Sequence, residues 1–480
     1  EMRSFLLNVA FILVLALVAC EGTPPVTPAP GTQGSVPTRT PAVTNFPPPV
    51  SQATATPTPV PVIEIDTETL GGVKVTFWHA WSGPAGEAIQ SLVEAFNAEN
   101  EYGIVVESAY QDNYNDLYDK IDNAILTGDL PSLAVAYNYQ IQDWDANPGL
   151  VADLEPYVND PQWGLTPAEQ ADFNPTFWGQ EVIDGKRTSF PAQRSAQLIY
   201  YNLTWASELG FDAPPGSPDE FKEQACSAAQ ANKTDADPQN DGTGGWVVST
   251  TPSAVLSWIY AFGGEVIDPL GAGYRFNTPQ TEAALTYLKE LYDAGCAWQS
   301  ADDYPDEEFA ARRALFVTGS LADLSFQTTA FERAGNADQW TVLAFPSPEK
   351  QPVIDVYGPS FVLFEATVEE KLAAWLVVKW LTSPENQARF IAASGTYPIR
   401  SSTLDHLGEY AAEHPQWSAA LELLPFAQSE PGYASWSVVR WVVSEVGTQV
   451  FRYYFTADRI PATLELMDET AAELHARSGE

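Results

Sequence analysis

Apolar residues recur with two clear periods from about residue 73 onward. Val73-Lys74-Val75-Thr76-Phe77-Trp78 alternates apolar and polar positions as a strand does. Gly83-Pro84 breaks the chain, and Glu87 to Asn97 then carries Ala88, Leu92, Val93 and Phe96 at helical spacing. A strand over Ile104 to Ser108, a helix over Asn115 to Leu126 and an apolar strand over Ser132 to Tyr137 follow. This β-α-β-α-β order predicts a parallel sheet with helices on both faces. Further strands are predicted at Leu198-Ile199-Tyr200-Tyr201 and Ala314-Leu315-Phe316-Val317, and further helices at Thr281 to Ala294, Val368 to Leu381, Glu385 to Ala393 and Pro461 to His475. No repeat of fixed period is visible. The fold class predicted is α/β, and a chain of 480 residues has room for two lobes, each with its own core.

A different pattern precedes this region. Arg3 is followed by an apolar run from Phe5 to Val18 and then by small Ala19, the layout of a secretory signal. The run is short for a membrane span, which needs about 20 apolar residues. Its ending, Leu17-Val18-Ala19-Cys20, resembles the lipobox of bacterial lipoproteins. The resemblance implies that residues 1–20 carry the signal, that Cys20 is lipidated and becomes the new N-terminus, and that the exported protein is anchored to the outer face of the cytoplasmic membrane. From Glu21 to Val62 the chain is almost entirely Pro, Thr, Val, Ala, Gly and Ser. Such a stretch buries too little apolar surface to offset its ordering entropy, so residues 21–68 are expected to form a Pro/Thr-rich spacer.

Charge narrows the list of partners. The chain has 63 acidic and 23 basic side chains, a formal net charge of −40. That field repels nucleic acid, which is therefore not an expected partner. With 15 Trp, 20 Tyr and 23 Phe the acidic residues do not signify disorder; they form a solvated surface around ordinary cores. Of three cysteines, Cys20 is accounted for by lipidation. Cys226 and Cys296 are left as the candidate pair for a disulfide in an oxidising compartment.

Five segments, in order, resemble the extracellular solute-binding proteins of ABC importers, in the branch that binds sugars and glycerol phosphates. They are Val75-Thr76-Phe77-Trp78-His79-Ala80-Trp81 with the helix ending in Phe96-Asn97; Tyr110-Gln111-Asp112-Asn113-Tyr114 with Thr127-Gly128-Asp129-Leu130-Pro131-Ser132; Gly185-Lys186 through Phe190-Pro191-Ala192-Gln193-Arg194-Ser195 into Tyr200-Tyr201-Asn202; Ala314 to Ser320; and Trp380 to Gln387 continuing to Ser394-Gly395-Thr396-Tyr397-Pro398-Ile399-Arg400. Together they span residues 73 to about 475. The resemblance implies two α/β lobes, each a mostly parallel sheet flanked by helices, joined by hinge strands and closing on a solute. It places residues 69–193 and 319–360 in the N-terminal lobe and 194–318 and 361–480 in the C-terminal lobe. Crossings are expected near Ala192 to Ser195, Val317 to Ser320 and Phe361 to Phe364. A carbohydrate ligand, the permease of an ABC importer, a monomeric state and no cofactor are implied as well.

Carried over position by position, the resemblance implies ligand contacts at Tyr114, Ser195, Ser320 and Gly358. Asn138 stands where that branch has a glutamate, and Tyr397 lies one residue from the family's tyrosine. The arginine that meets phosphate near Gly432 to Trp436 is not found there, which argues for an uncharged carbohydrate, with Tyr433 and Trp436 as aromatic platforms. His79 and Trp81, where the first strand gives way to a loop, are further candidates, whereas Trp78 within that strand is expected to be buried. Arg194 pairs either with the ligand or with a carboxylate inside the protein. Asp235, Asp237, Gln239 and Asp241-Gly242 resemble the first half of a calcium loop, but Val248 stands where its closing glutamate belongs, so metal binding there is a weak expectation. Glycerol phosphate or another polar solute remains the alternative ligand. A sensory receptor or an exported carbohydrate-active enzyme remains the alternative class, the latter needing two carboxylates roughly 5–9.5 Å apart. No phosphate-binding loop, dinucleotide fingerprint, zinc-protease helix or nucleophile elbow occurs.

Overall fold

The computed structural model describes residues 62–183, 185–271, 273–302 and 304–479. Cys20, the apolar run before it and the Pro/Thr-rich stretch up to residue 61 lie outside the described residues. In chain order the fold opens with β1 (Lys74–His79), α1 (Gly83–Glu99), β2 (Val105–Tyr110), α2 (Tyr114–Thr127), β3 (Leu133–Ala136) and α3 (Asn138–Asp145). Short strands β4 (Val182–Ile183), β5 (Lys186–Arg187) and β6 (Phe190–Pro191) lead into β7 (Ser195–Asn202). There follow α4 (Pro218–Thr234), β8 (Gly244–Val247), α5 (Pro252–Ala261), α6 (Pro279–Asp293), β9 (Ala297–Trp298), β10 (Ala314–Ser320), β11 (Trp340–Leu343), β12 (Ile354–Tyr357) and β13 (Ser360–Leu363). The chain closes with α7 (Val368–Leu381), α8 (Pro384–Ser394), α9 (Pro415–Leu423), β14 (Ala427–Ser429), α10 (Trp436–Val450) and α11 (Ile460–Arg477).

Two sheets organise these elements. The first has the order β2-β1-β3-β13-β6, and the second β14-β12-β7-β10-β8-β9 with β11 also paired to β7. Pairs β1–β2, β1–β3, β8–β9, β8–β10 and β12–β14 are parallel, while β7 and β13 run antiparallel to their neighbours. β3 and β7 are buried along their whole lengths, as central strands covered on both faces must be. α1, α2, α7 and α8 pack on the first sheet or on each other; α4, α5, α6, α10 and α11 do so on the second. On β7 the alternation divides two cores, with Ala196, Leu198 and Tyr200 in one and Ile199 and Tyr201 in the other.

Strand pairing draws the lobe boundaries differently from the expectation. β10 pairs along its length with β7, and beyond it Ser320 caps a short turn, so the chain does not cross at Val317 to Ser320. β11 and β12 also pair with β7, which puts residues 340–357 in the second lobe and not the first. Conversely β13 pairs with β3 and β6, and α7 and α8 pack on β1, β13 and α1, so residues 360–394 belong to the first lobe. The crossings lie at residues 192–194, at residues 358–359 and after α8, where Tyr397 bridges to Arg194.

Arg194 binds the crossing segments together. Its guanidinium forms an ion pair with Glu181, both fully buried, and donates to the carbonyls of Gln193 and Pro359 at 2.8 Å and to Ser360 Oγ at 3.0 Å. Its Nε–H donates to Gln180 Oε1 at 3.0 Å. Gly358 lets the two segments pass this closely: a Cβ there would come within 2.2 Å of the Gln193 carbonyl oxygen. In the second lobe β8 lies against α4 and pairs with β9, which brings Cys226 and Cys296 together as a disulfide with Cα atoms 4.4 Å apart.

Two outcomes test these ties. Glu181→Gln strands the buried guanidinium and should cost about 3–5 kcal/mol in urea unfolding, whereas the pair Glu181→Gln with Arg194→Met should recover part of that loss; equal losses would refute the coupling. Removing the disulfide by Cys226→Ser with Cys296→Ser should lower stability by about 2–4 kcal/mol, and thiol titration of the folded parent should find neither cysteine free.

Candidate functional site

The carboxyl ends of the parallel strands of both sheets point toward the crossings, the usual place for a ligand crevice in open α/β sheets. From the first lobe come the ends of β1, β2 and β3. β1 ends in buried His79, whose ring packs 5.5 Å from Phe77, 5.8 Å from Trp81 and 6.2 Å from Tyr110. Burial pulls its imidazole down to about 4, so the ring is neutral at physiological pH, and its Nδ1 has no hydrogen-bond partner. A neutral ring exchanges hydrogen bonds with hydroxyls and does not act as a cation.

Three tyrosines form a row beside it. Asn113 caps α2 by accepting from the amides of Asn115 and Asp116, which fixes Tyr114 at the first helical position. Tyr137 leads into α3, its amide donating to Gln140 Oε1 at 3.0 Å, and Tyr139 lies in the first turn. Ring centroids are 5.0 Å apart between Tyr114 and Tyr137 and 5.6 Å apart between Tyr137 and Tyr139, the latter pair stacked. Burial above all holds the Tyr137 hydroxyl above its ordinary range. The charges of Glu430 and Arg440, from the other lobe, also act on it.

The second lobe contributes the start of β7 and the ends of β10, β12 and β14. Ser195 and Ser320 share a hydrogen bond at 2.7 Å between their hydroxyls, and Tyr357 donates to Gln197 Oε1 at 3.0 Å. The Ser320 amide donates to Asp323 at 2.9 Å. Burial raises that carboxyl to about 6, and Asp306 adds to the rise. The lobes touch through Arg440 of α10, which donates to the Tyr139 hydroxyl at 2.5 Å with its guanidinium 5.1 Å from that ring. Glu430 stands 3.7 Å from the same guanidinium and accepts from Ser253 Oγ and Trp436 Nε1, each at 2.8 Å.

Of the residues expected from the sequence, His79 and Tyr114 lie at the end of β1 and the start of α2 in the first lobe, and Ser195 and Ser320 bond each other in the second. Trp81 is largely interior, its ring against Phe390 and Phe361 and its N–H donating to Gln193 at the hinge. Asn138 bonds the Gln180 carbonyl and Ser360, so it is used in the same hinge network as Arg194 and Gly358. Tyr397 is fully buried, with its hydroxyl on the Ala420 carbonyl, and Trp436 is fully buried in the second core, so neither offers a free face. Tyr433 packs against Tyr274 and His475. The weak calcium expectation at Asp235, Asp237 and Asp241 is corrected: Asp235 and Asp237 accept from amides within their own turn, and among the described residues no group of acidic, His or Cys side chains is placed to hold a metal. Sequence reading missed Tyr137, Tyr139, Gln197, Tyr357, Glu430 and Arg440. The alternation of β7, which puts Gln197 on the face of Ser195, was the available signal for one of them.

Known proteins share this fold. The sn-glycerol-3-phosphate-binding periplasmic protein UgpB of Escherichia coli K12 is 24% identical over 340 residues, 69% of this chain and 75% of that protein. The solved structure of a cyclic alpha-maltosyl-1,6-maltose binding protein from Arthrobacter globiformis has the same fold with TM-score 0.71 at 20% identity, covering 84% of this chain and 100% of the other. UgpB from Mycobacterium tuberculosis, solved in complex with glycerophosphocholine, does so with TM-score 0.69 at 18% identity over 85% and 100%. The family model described as bacterial extracellular solute-binding protein matches residues 91–425, most of the folded region, and the chain belongs to that family.

Proposed function

We propose that the cleft between the lobes captures a carbohydrate and that the protein delivers it to the permease of an ABC importer. The observation that carries this reading is the composition of the two walls. One lobe carries a row of three tyrosines and the other a hydrogen-bonded set of Ser195, Ser320, Gln197 and Tyr357, and the proposed cleft takes these as its two walls. Tyrosine faces suit the apolar C–H faces of a sugar ring, while neutral donors and acceptors suit its hydroxyls. His79, held neutral, fits the same chemistry.

Family membership supports export, and the sequence around Cys20 supports lipid anchoring at the outer face of the cytoplasmic membrane; of the spacer expected over residues 21–68 the last part is already folded, since the Ile63 amide donates to Asp160 at 2.8 Å and Thr67–Leu70 form a helical turn. A monomer without catalytic activity is the accompanying reading. The names of the relatives, one for a maltose-type sugar and others for glycerol phosphate or glycerophosphocholine, keep a phosphorylated polyol as the second reading.

A thermal-shift panel of mono- and oligosaccharides, polyols and glycerol phosphates tests the proposal. A ligand bound only by the native state at a hundredfold excess over Kd stabilises by about 2.7 kcal/mol, so a sugar of this class should raise Tm clearly. Tyr114→Ala and Ser195→Ala should each weaken that sugar at least ~tenfold, about 1.4 kcal/mol, while the ligand-free protein still unfolds cooperatively. Unchanged affinity in both variants would sink the assigned site, and a shift with phosphorylated ligands alone would replace the carbohydrate reading by the second one.

A further inference from the structure

The cation shared by the two lobes is already engaged. Arg440 reaches Tyr139 of the first lobe through one terminal nitrogen, and through the other it faces Glu430 of its own lobe. Glu430 is fixed in place, because one of its oxygens accepts from Ser253 on α5 and the other from Trp436 at the start of α10. Glu430 is therefore held 3.7 Å from the guanidinium, within electrostatic reach of the Tyr137 and Tyr139 hydroxyls.

A second acid stands behind the first. Asp355 of β12 is 0% exposed, and neither of its carboxyl oxygens has a hydrogen-bond partner. It is in register with Gln428 of β14, two residues before Glu430, and two residues before Tyr357 on its own strand. Burial first, and then the charge of Glu430, push its carboxyl well above the usual range, with Arg440 acting in the opposite direction. Burial works against the charge of Arg440, but Glu430 and the neighbouring tyrosines outweigh it and hold the guanidinium above its ordinary value. The guanidinium thus has the Glu430 carboxyl group fixed 3.7 Å away, while its own Nε–H is buried without a hydrogen-bond partner.

We propose that Glu430, held by Ser253 and Trp436 against Arg440, is a charge filter that confines the cleft to ligands without negative charge. The inference rests on the cleft being the ligand site, and it assigns to Glu430 a role in specificity beyond general carbohydrate capture. Repulsion is the working element: an anionic ligand meets a like charge that cannot swing aside, whereas a neutral hydroxyl is accepted by the same carboxylate.

Calorimetric titration of the full chain and two variants with maltotriose, sn-glycerol 3-phosphate, glucose and glucosamine tests the filter. Near-UV circular dichroism first establishes that each variant is folded. Glu430→Gln keeps an oxygen for one of its two donors and removes the charge, and it should bind sn-glycerol 3-phosphate at least tenfold more tightly than the unchanged chain, with the gain shrinking as salt rises. Arg440→Gln leaves Glu430 uncompensated and should favour protonated glucosamine over glucose at least tenfold, a preference the unchanged chain lacks. If Glu430→Gln does not fold, Arg440→Gln alone decides. Preferences that do not move in the folded variants overturn the filter, as does an unchanged chain that binds sn-glycerol 3-phosphate as tightly as Glu430→Gln does. Should Glu430→Gln gain the phosphate ester while no neutral sugar binds any form, the filter stands and the carbohydrate reading falls.

Discussion

Two lobes that must move against each other hang on a buried ion pair between Arg194 and Glu181. The guanidinium reaches the backbone of both crossing segments, at Gln193 and Pro359, and the side chain of Ser360 at the start of β13. Buried charge of this kind costs desolvation and contributes to stability only when every partner is in place. Its value here is geometric. Because Arg194 fixes residues 193–194 to residues 358–360 and to the Gln180-Glu181 turn, β7 and β13 start from one rigid point, and the lobes must bend beyond it. Asn138 and Gly358 belong to the same construction, one through Ser360 and the other through the close approach of two backbones.

This arrangement shows which parts of the fold were legible in the sequence. Elements with strong local periodicity were readable to within a few residues: the helix expected over Val368 to Leu381 has those bounds, and the β-α-β-α-β opening is in place from β1 to β3. Membership of a lobe was not readable, because it depends on which distant strand each short segment pairs with. Phe361 and Val342 sit in similar apolar tetrads, yet one pairs with β3 and the other with β7. The Gly319-Ser320 break looks like a crossing in sequence. In space it is a strand end where Ser320 begins a turn and stays beside Ser195.

The site was half legible for a related reason. Tyr114, Ser195 and Ser320 lie at element ends, where a strand or helix delivers a side chain to the crevice and local sequence signals the boundary. Trp436 and Tyr397 also lie near element ends but turn inward, and an aromatic residue gives no local sign of which way it faces. Arg440 and Glu430 were invisible as a pair because nine residues of turn and helix lie between them. Only the fold of the second lobe sets Glu430 3.7 Å from the guanidinium and carries Arg440 to Tyr139 of the first.

That cross-lobe contact bears on how capture is linked to delivery. A hydrogen bond from Arg440 to Tyr139 exists only when the lobes are together, so it stabilises the closed arrangement whether or not a solute is held. A solute shifts the balance further only through contacts it makes better in the closed form than in the open one. In the proposed site the tyrosine row on one lobe and the serine and glutamine groups on the other would be such contacts, since a ligand bound to a single wall would gain just half of them. The closed state must not be too favourable without ligand, or the permease would meet empty protein in the loaded shape. The Arg440–Tyr139 bond adds to the packing of the Pro175–Gly179 helix against β14, so closure without solute is favoured by a few contacts and a solute has to supply the rest.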